Sequence, residues 1–84
     1  SIDLDEIIKA LAHPVRRDIL NWLKDPKVQF PDLSQSTVSA HLATLQRAGL
    51  ISSQKVGQWH FFRRNEDVIQ DVIQAITQEL SPPQ

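Results

Sequence analysis

The 84-residue sequence predicts a mainly α fold with one small β-hairpin. Three observations predict it. Apolar residues recur at helical spacing in four stretches, two short alternating runs flank a single glycine, and proline, glycine or a small polar residue punctuates the junctions. A chain of this length builds one small core, so residues 1–84 are read as a single domain of modest stability.

The elements follow in order. Asp3 with Glu6 three residues on resembles a capping box opening a helix to Ala12, and Leu4, Ile7, Ile8 and Leu11 form a stripe dense enough to need a partner. His13-Pro14 starts the second helix, because proline at the first helical position loses no hydrogen bond. Val15, Ile19, Trp22 and Leu23 are expected to face the core, with Arg16 and Arg17 opposite, as a solvated face or paired with Asp18 or neighbouring acids, in preference to a contact with DNA phosphates. His13 is read as a cap or packing residue. Pro26 and Pro31 forbid a helix through KDPKVQFPD, Lys24 to Asp32.

Ser34 is the natural N-cap of a third helix that runs to about Arg47 and is stopped by Gly49. Val38, Leu42 and Leu45 recur at i, i+4 and i+7, turning Gln35, Ser36, Ser39 and Ala40 outward. A solvated face normally carries Lys and Glu; this one is small and uncharged, which lets a backbone approach base edges in a major groove. The alternative is a capped surface helix with hydroxyls left over from capping.

Ile51 to Lys55 and Trp59 to Arg63 read as two strands joined at Val56-Gly57-Gln58. Alternation sends Trp59 and Phe61 to one face and His60 and Phe62 to the other, with Phe61 expected in the core. Lys55 and Gln58 flank the tip, Trp59 is placed to lie over a sugar or phosphate edge, and His60 to touch a phosphate. Asn65 caps the last helix, with Glu66 and Asp67 against its positive end, and Ser81-Pro82-Pro83 ends it. Val68, Ile69, Val72, Ile73, Ile76 and Leu80 make more than one apolar ridge, so one ridge needs a second surface.

The net charge of −1 hides a polarity. Residues 33–64 hold Arg47, Lys55, Arg63 and Arg64 and no acid, a local charge of +4; the other five basic residues meet all ten acidic ones, giving −5. The local field is what a polyanion meets. There is no cysteine, hence neither a disulfide nor a thiolate site. His13, His41 and His60 sit on separate elements, and the last helix offers Asp67, Asp71 and Glu79 without histidine, so neither a metal nor a cofactor is expected. The two glycines fall at a helix end and a hairpin turn rather than in a phosphate cradle, which argues against an enzyme. Without a long apolar run or the apolar start of a signal peptide, a cytoplasmic location and no membrane partner are expected.

Three segments in order, LAHPVRRDIL (Leu11 to Leu20), LSQSTVSAHLATLQRAGLI (Leu33 to Ile51) and VGQWHFFRRNED (Val56 to Asp67), resemble the arsenic-repressor (ArsR) family of winged helix-turn-helix repressors. The resemblance spans nearly the whole chain. It implies a homodimeric bacterial repressor that binds palindromic operator DNA and is released by a signal. The dimer would form through the first and last helices, that is Leu4, Ile7, Ile8, Leu11, Val68, Ile69, Val72, Ile73, Ile76 and Leu80. Gln35, Ser36 and Ser39 would meet bases, Ser34 and Thr37 phosphates, and Lys55, Gln58 and Trp59 would serve the wing. Members often carry His where this chain has Ala40, followed by His41, and that departure bears on base preference. The family's cysteine and His-carboxylate metal sites have no counterpart here, which puts metal sensing in doubt. A winged domain used only for protein contacts is the alternative, and salt separates the two: four cations from each of two protomers on phosphates give a log–log slope near about −7. A helix-turn-helix also needs a helix immediately before the reading helix, and Lys24 to Asp32 leaves no room for it. The adopted reading is that residues are missing between about 30 and 33, rather than that the connection is a reduced, extended one.

Overall fold

The computed structural model of the chain describes residues 2–25 and 36–83. The expectations for Ser34, Gln35, Pro26, Pro31 and a break between about 30 and 33 fall outside the described residues. The elements are α1 (Leu4–Leu11), α2 (Pro14–Trp22), α3 (Ser36–Arg47), β1 (Ile51–Val56), β2 (Trp59–Arg64) and α4 (Glu66–Leu80). This is the mainly helical, single-hairpin architecture of a winged helix-turn-helix.

Local chemistry accounts for the boundaries. Asp3 caps α1 by accepting from the Glu6 amide at 3.1 Å, and Asn65 caps α4 by accepting from the Val68 amide at 3.3 Å. Pro14 occupies the first turn of α2, while the His13 side chain makes no capping bond. The hairpin pairs Ile51 with Arg64 through Val56 with Trp59, leaving Gly57-Gln58 as a two-residue turn. Positive φ at Gly57 alone matches a turn with glycine at its first central position.

The end of α3 sets the angle between helix and hairpin. Gly49 takes φ +80°, the Gly49 amide donates to the Gln46 carbonyl at 3.0 Å, and the Leu50 amide donates to the Leu45 carbonyl at 3.0 Å. These paired bonds satisfy two free carbonyls of the last turn and reverse the chain into β1. Leu45 and Leu50, the two side chains that such a reversal brings together, are both completely buried. The Asn65 amide donates to the Leu50 carbonyl at 2.9 Å, closing the hairpin at its base.

The core joins Ile7 and Ala10 of α1, Ile19, Leu20 and Leu23 of or just after α2, Leu42 and Leu45 of α3, Leu50, Ile51, and Val72 of α4. Two expectations are corrected. Val15 and Trp22 are exposed, Trp22 by 51%, because the buried stripe of α2 is Ile19, Leu20 and Leu23, rotated by about one residue from the expected one. Phe61 is 39% exposed, and Phe62 packs against the core instead. Strand alternation puts the two rings on opposite faces, so only one can face inward.

Nothing lies within 4 Å of a Cβ built on Gly49. Gly49→Ala therefore tests backbone conformation alone. It is expected to cost about 1–2 kcal/mol in urea unfolding, the penalty of a left-handed conformation for an L side chain, with Gly49→Asn costing less.

Candidate nucleic-acid interface

The hairpin has two chemically distinct faces. Ser53, Lys55, His60 and Phe62 share one, since Ser53 pairs with Phe62 and Lys55 with His60. Gln54, Val56, Trp59, Phe61 and Arg63 share the other. The first face turns toward α3: Ser39, Ala43 and Gln46 line one side of a groove of about 290 Å³, and Ser53, His60 and Phe62 line the other. A hydrogen bond from Gln46 Nε2 to Ser53 Oγ at 3.0 Å spans helix and wing. His60 and Phe62 stack along this face with ring centroids 6.4 Å apart.

On α3, Thr37, Ala40, Ala43 and Gln46 are exposed and Ser39 is half-buried, so the open side of the helix carries no charge until Arg47. Gln46 and Ala43 did not figure among the expected contacts. Their signal was present, because they continue the Ser36, Ser39, Ala40 stripe by another turn. Lys55 is exposed on the α3-facing side of the wing. Gln58 is exposed at the tip. Trp59 is 56% exposed on the opposite hairpin face from Lys55 and His60.

His41 lies elsewhere. It is half-buried, and its Nδ1 accepts from Arg16 Nε at 3.1 Å, with the His13 ring 5.9 Å away. Because Nδ1 is the acceptor, the neutral ring carries its proton on Nε2. Arg16 also reaches the Lys9 and Ala10 carbonyls, both at 3.4 Å, and Arg17 donates to the Leu11 carbonyl at 2.6 Å. The two arginines expected on a solvated face thus bind the carboxyl end of α1, where the helix dipole favours cations. His13 and His41 come together although their elements are separate in sequence, but no group of three metal-binding side chains forms among the described residues.

The four cations of residues 33–64 do not share one surface. Arg64 is half-buried; it grips Glu66 with two bonds of 2.8 and 3.1 Å and donates to the Leu20 carbonyl at 3.0 Å. Arg63 lies on the face turned away from α3. Arg47, exposed in the last turn of α3 with a bond to Thr44 Oγ1 at 3.3 Å, and Lys55 remain for phosphates.

The expected dimer residues divide cleanly. Ile7 and Val72 are buried; Leu4, Leu11, Val68, Ile69 and Ile76 are partly buried against the core. Ile8, Ile73 and Leu80 are exposed, the last two by 50% and 78%. Among the described residues no helix is long and apolar enough to cross a membrane.

A family model described as bacterial regulatory protein, arsR family, matches residues 32–53, which span α3, its reversal and the start of β1. The chain is 32% identical to an uncharacterized HTH-type transcriptional regulator, YbzH, of Bacillus subtilis, over 76% of this chain and 85% of that protein. It is 33% identical to the transcriptional repressor SdpR of the same organism, over 83% and 84% respectively. The arsenical resistance operon repressor of Staphylococcus aureus is 31% identical, over 88% of this chain and 77% of its own length.

The Arg64–Glu66 pair has a measurable acid signature. The Arg64 hydrogen bonds hold the Glu66 carboxyl below its ordinary value of 4.5; burial opposes this, and the charges of Arg64 and Lys24 add to it. A lowered acid stabilises the fold above its unfolded value and loses that contribution as pH falls through the folded one. Unfolding of the wild type and of Glu66→Gln should therefore differ most above pH 4.5 and converge below it. A gap of constant size across the acid limb would show that the pair does not set it.

Proposed function

The chain belongs to the arsR family of helix-turn-helix transcriptional regulators, and from that premise we propose that it is a homodimeric repressor of a palindromic operator, released by a signal. Proteins of this family are DNA-binding regulators and not enzymes. The observation that carries the reading is the continuous surface from the small-residue side of α3, across the Gln46–Ser53 bond, to Lys55 and His60 of the wing. A uniform surface of this kind admits a duplex: Ser39, Ala40 and Gln46 to base edges, with Gln35 and Ser36 preceding them, and Thr37, Ser34, Arg47 and Lys55 to phosphates.

Dimerisation is supported by the exposed Ile73 and Leu80 of α4, flanked by the half-buried Ile69 and Ile76, and by the exposed Ile8 of α1, because α4 already commits Val72 to its own core. A second copy burying this ridge sets two α3 helices about 34 Å apart, one turn of duplex. A signal that alters the tilt between protomers changes this spacing and releases the DNA. Trp59 and Gln58 serve the wing tip, where flanking backbone or the minor groove lies.

Light scattering should give twice 9.6 kDa, about 19 kDa, for the wild type, and Ile73→Glu should return it to the single-chain mass and loosen DNA by more than tenfold. Ser39→Arg should keep the dimer and abolish selective operator retention on gels. With Arg63 and Arg64 turned away or engaged, Arg47 and Lys55 are the cations of residues 33–64 left to neutralise phosphates in each protomer, so their share of the log–log salt slope is expected near about −4 rather than −7. Arg63→Gln should leave that slope unchanged, whereas Lys55→Gln should flatten it by about 2. Affinity indifferent to salt would favour a protein-contact module instead.

A further inference from the structure

From the hairpin's second face the operator-binding reading takes only Trp59, at the tip. Behind the wing, between its other face and the end of α2, lies a cavity of about 580 Å³ open on one side. That volume is in the range of small-molecule sites. Leu23, Val56, Phe61 and, from the hairpin's first face, Phe62 form its apolar wall, and Gln54, Lys24 and Arg63 supply its polar edge. Val56 and Phe61 are exposed although both are large and apolar.

The charges around this space are unequal. Arg64 and Glu66 also line it, but their two-bond pair neutralises both and orients Arg64 toward the Leu20 carbonyl. Lys24, whose charge also acts on Glu66, and Arg63 leave the lining with a net positive charge beside an apolar surface. A phosphate backbone would satisfy the cations and waste the apolar wall; a neutral hydrocarbon would do the reverse. A molecule with a flat apolar body and one anionic group satisfies both, its ring against Phe61 and its carboxylate between Lys24 and Arg63, with the Gln54 amide as a further donor.

We propose that this cavity is a binding site for an aromatic carboxylate. The inference goes beyond the operator reading and is tested without DNA, so either can fail alone. The full chain is titrated with 2-naphthoate by calorimetry, with 2-naphthylmethanol as the uncharged match and acetate as the match without a ring. Naphthoate is expected to bind with a Kd of about 1 mM or below, and each control at least about fivefold more weakly. Lys24→Gln and Arg63→Gln, both surface changes that leave the core intact, should each weaken naphthoate by about two- to fivefold. Phe61→Ala should weaken it by about tenfold. Amide shifts on titration should centre on Gln54 and Phe61. Equal binding of 2-naphthylmethanol, shifts centred on Ile73 and Leu80, indifference to both charge substitutions, or no heat from naphthoate would each overturn the proposal.

Discussion

The reversal at Gly49 is the constraint on which the remainder of the molecule depends. A helix that reads a groove and a wing that flanks it must hold a fixed angle, and two covalently linked elements ordinarily have many. Here the Gly49 and Leu50 amides close the last turn of α3 onto the Gln46 and Leu45 carbonyls, so the strand can leave in one direction only. Leu45 and Leu50 are then both buried in the core, and the Asn65 amide's bond to the Leu50 carbonyl returns the second strand to the same point. Wing, recognition helix and the start of α4 therefore meet at one pair of buried leucines. The Gln46–Ser53 bond is a consequence of that junction, since it links positions a short way out along the two arms.

The arginines show how a count of charge differs from a surface charge. Arg16, Arg17 and Arg64 each spend donors on backbone carbonyls near helix ends, at Lys9, Ala10, Leu11 and Leu20. A guanidinium suits this work because its fork can serve a carbonyl and a side chain at once. Arg16 does so between α1 and His41, tying the helix beside the proposed dimer surface to the recognition helix through one side chain. Of the four cations of residues 33–64, Arg47 and Lys55 are left on the side of α3 and the wing, so in the proposed complex selectivity would rest largely on the fit of the uncharged helix face.

Much of the fold was legible in the residues. Asp3, Pro14, Gly49, Gly57 and Asn65 act through local backbone chemistry, and each stands where that chemistry requires it. The two faces of the hairpin follow from alternation, and the open side of α3 from helical spacing. The failures have one cause in common. Val15, Trp22 and Phe61 were placed inward on periodicity, which gives a face but not which neighbour occupies it. The partners of Arg16, His41 and Arg64 escaped the sequence for a related reason: they lie 25 and 44 residues away, and no local pattern announces them. Gln46 has a plain helical spacing from Ser39, but its role depends on the wing folding back beside the end of α3, which spacing along the helix does not reveal.

The two ridges of α4 divide the helix between two surfaces. Val72 belongs to the protomer's core, and Val68, Ile69 and Ile76 are half committed to it, while Ile73 and Leu80 stand clear. A helix divided in this way transmits position: its inner side follows the junction at Leu45 and Leu50, and in the proposed dimer its outer side follows the partner. Within a protomer, α3 and the base of the wing are joined through the buried Leu45, Leu50 and Ile51. Between protomers the proposed contact is made of apolar side chains, whose attraction is non-directional and permits sliding at little cost. In the proposed dimer, the spacing of the two protomers is then the quantity a signal would change, and the two-fold symmetry of the proposed operator is what would make that spacing decisive.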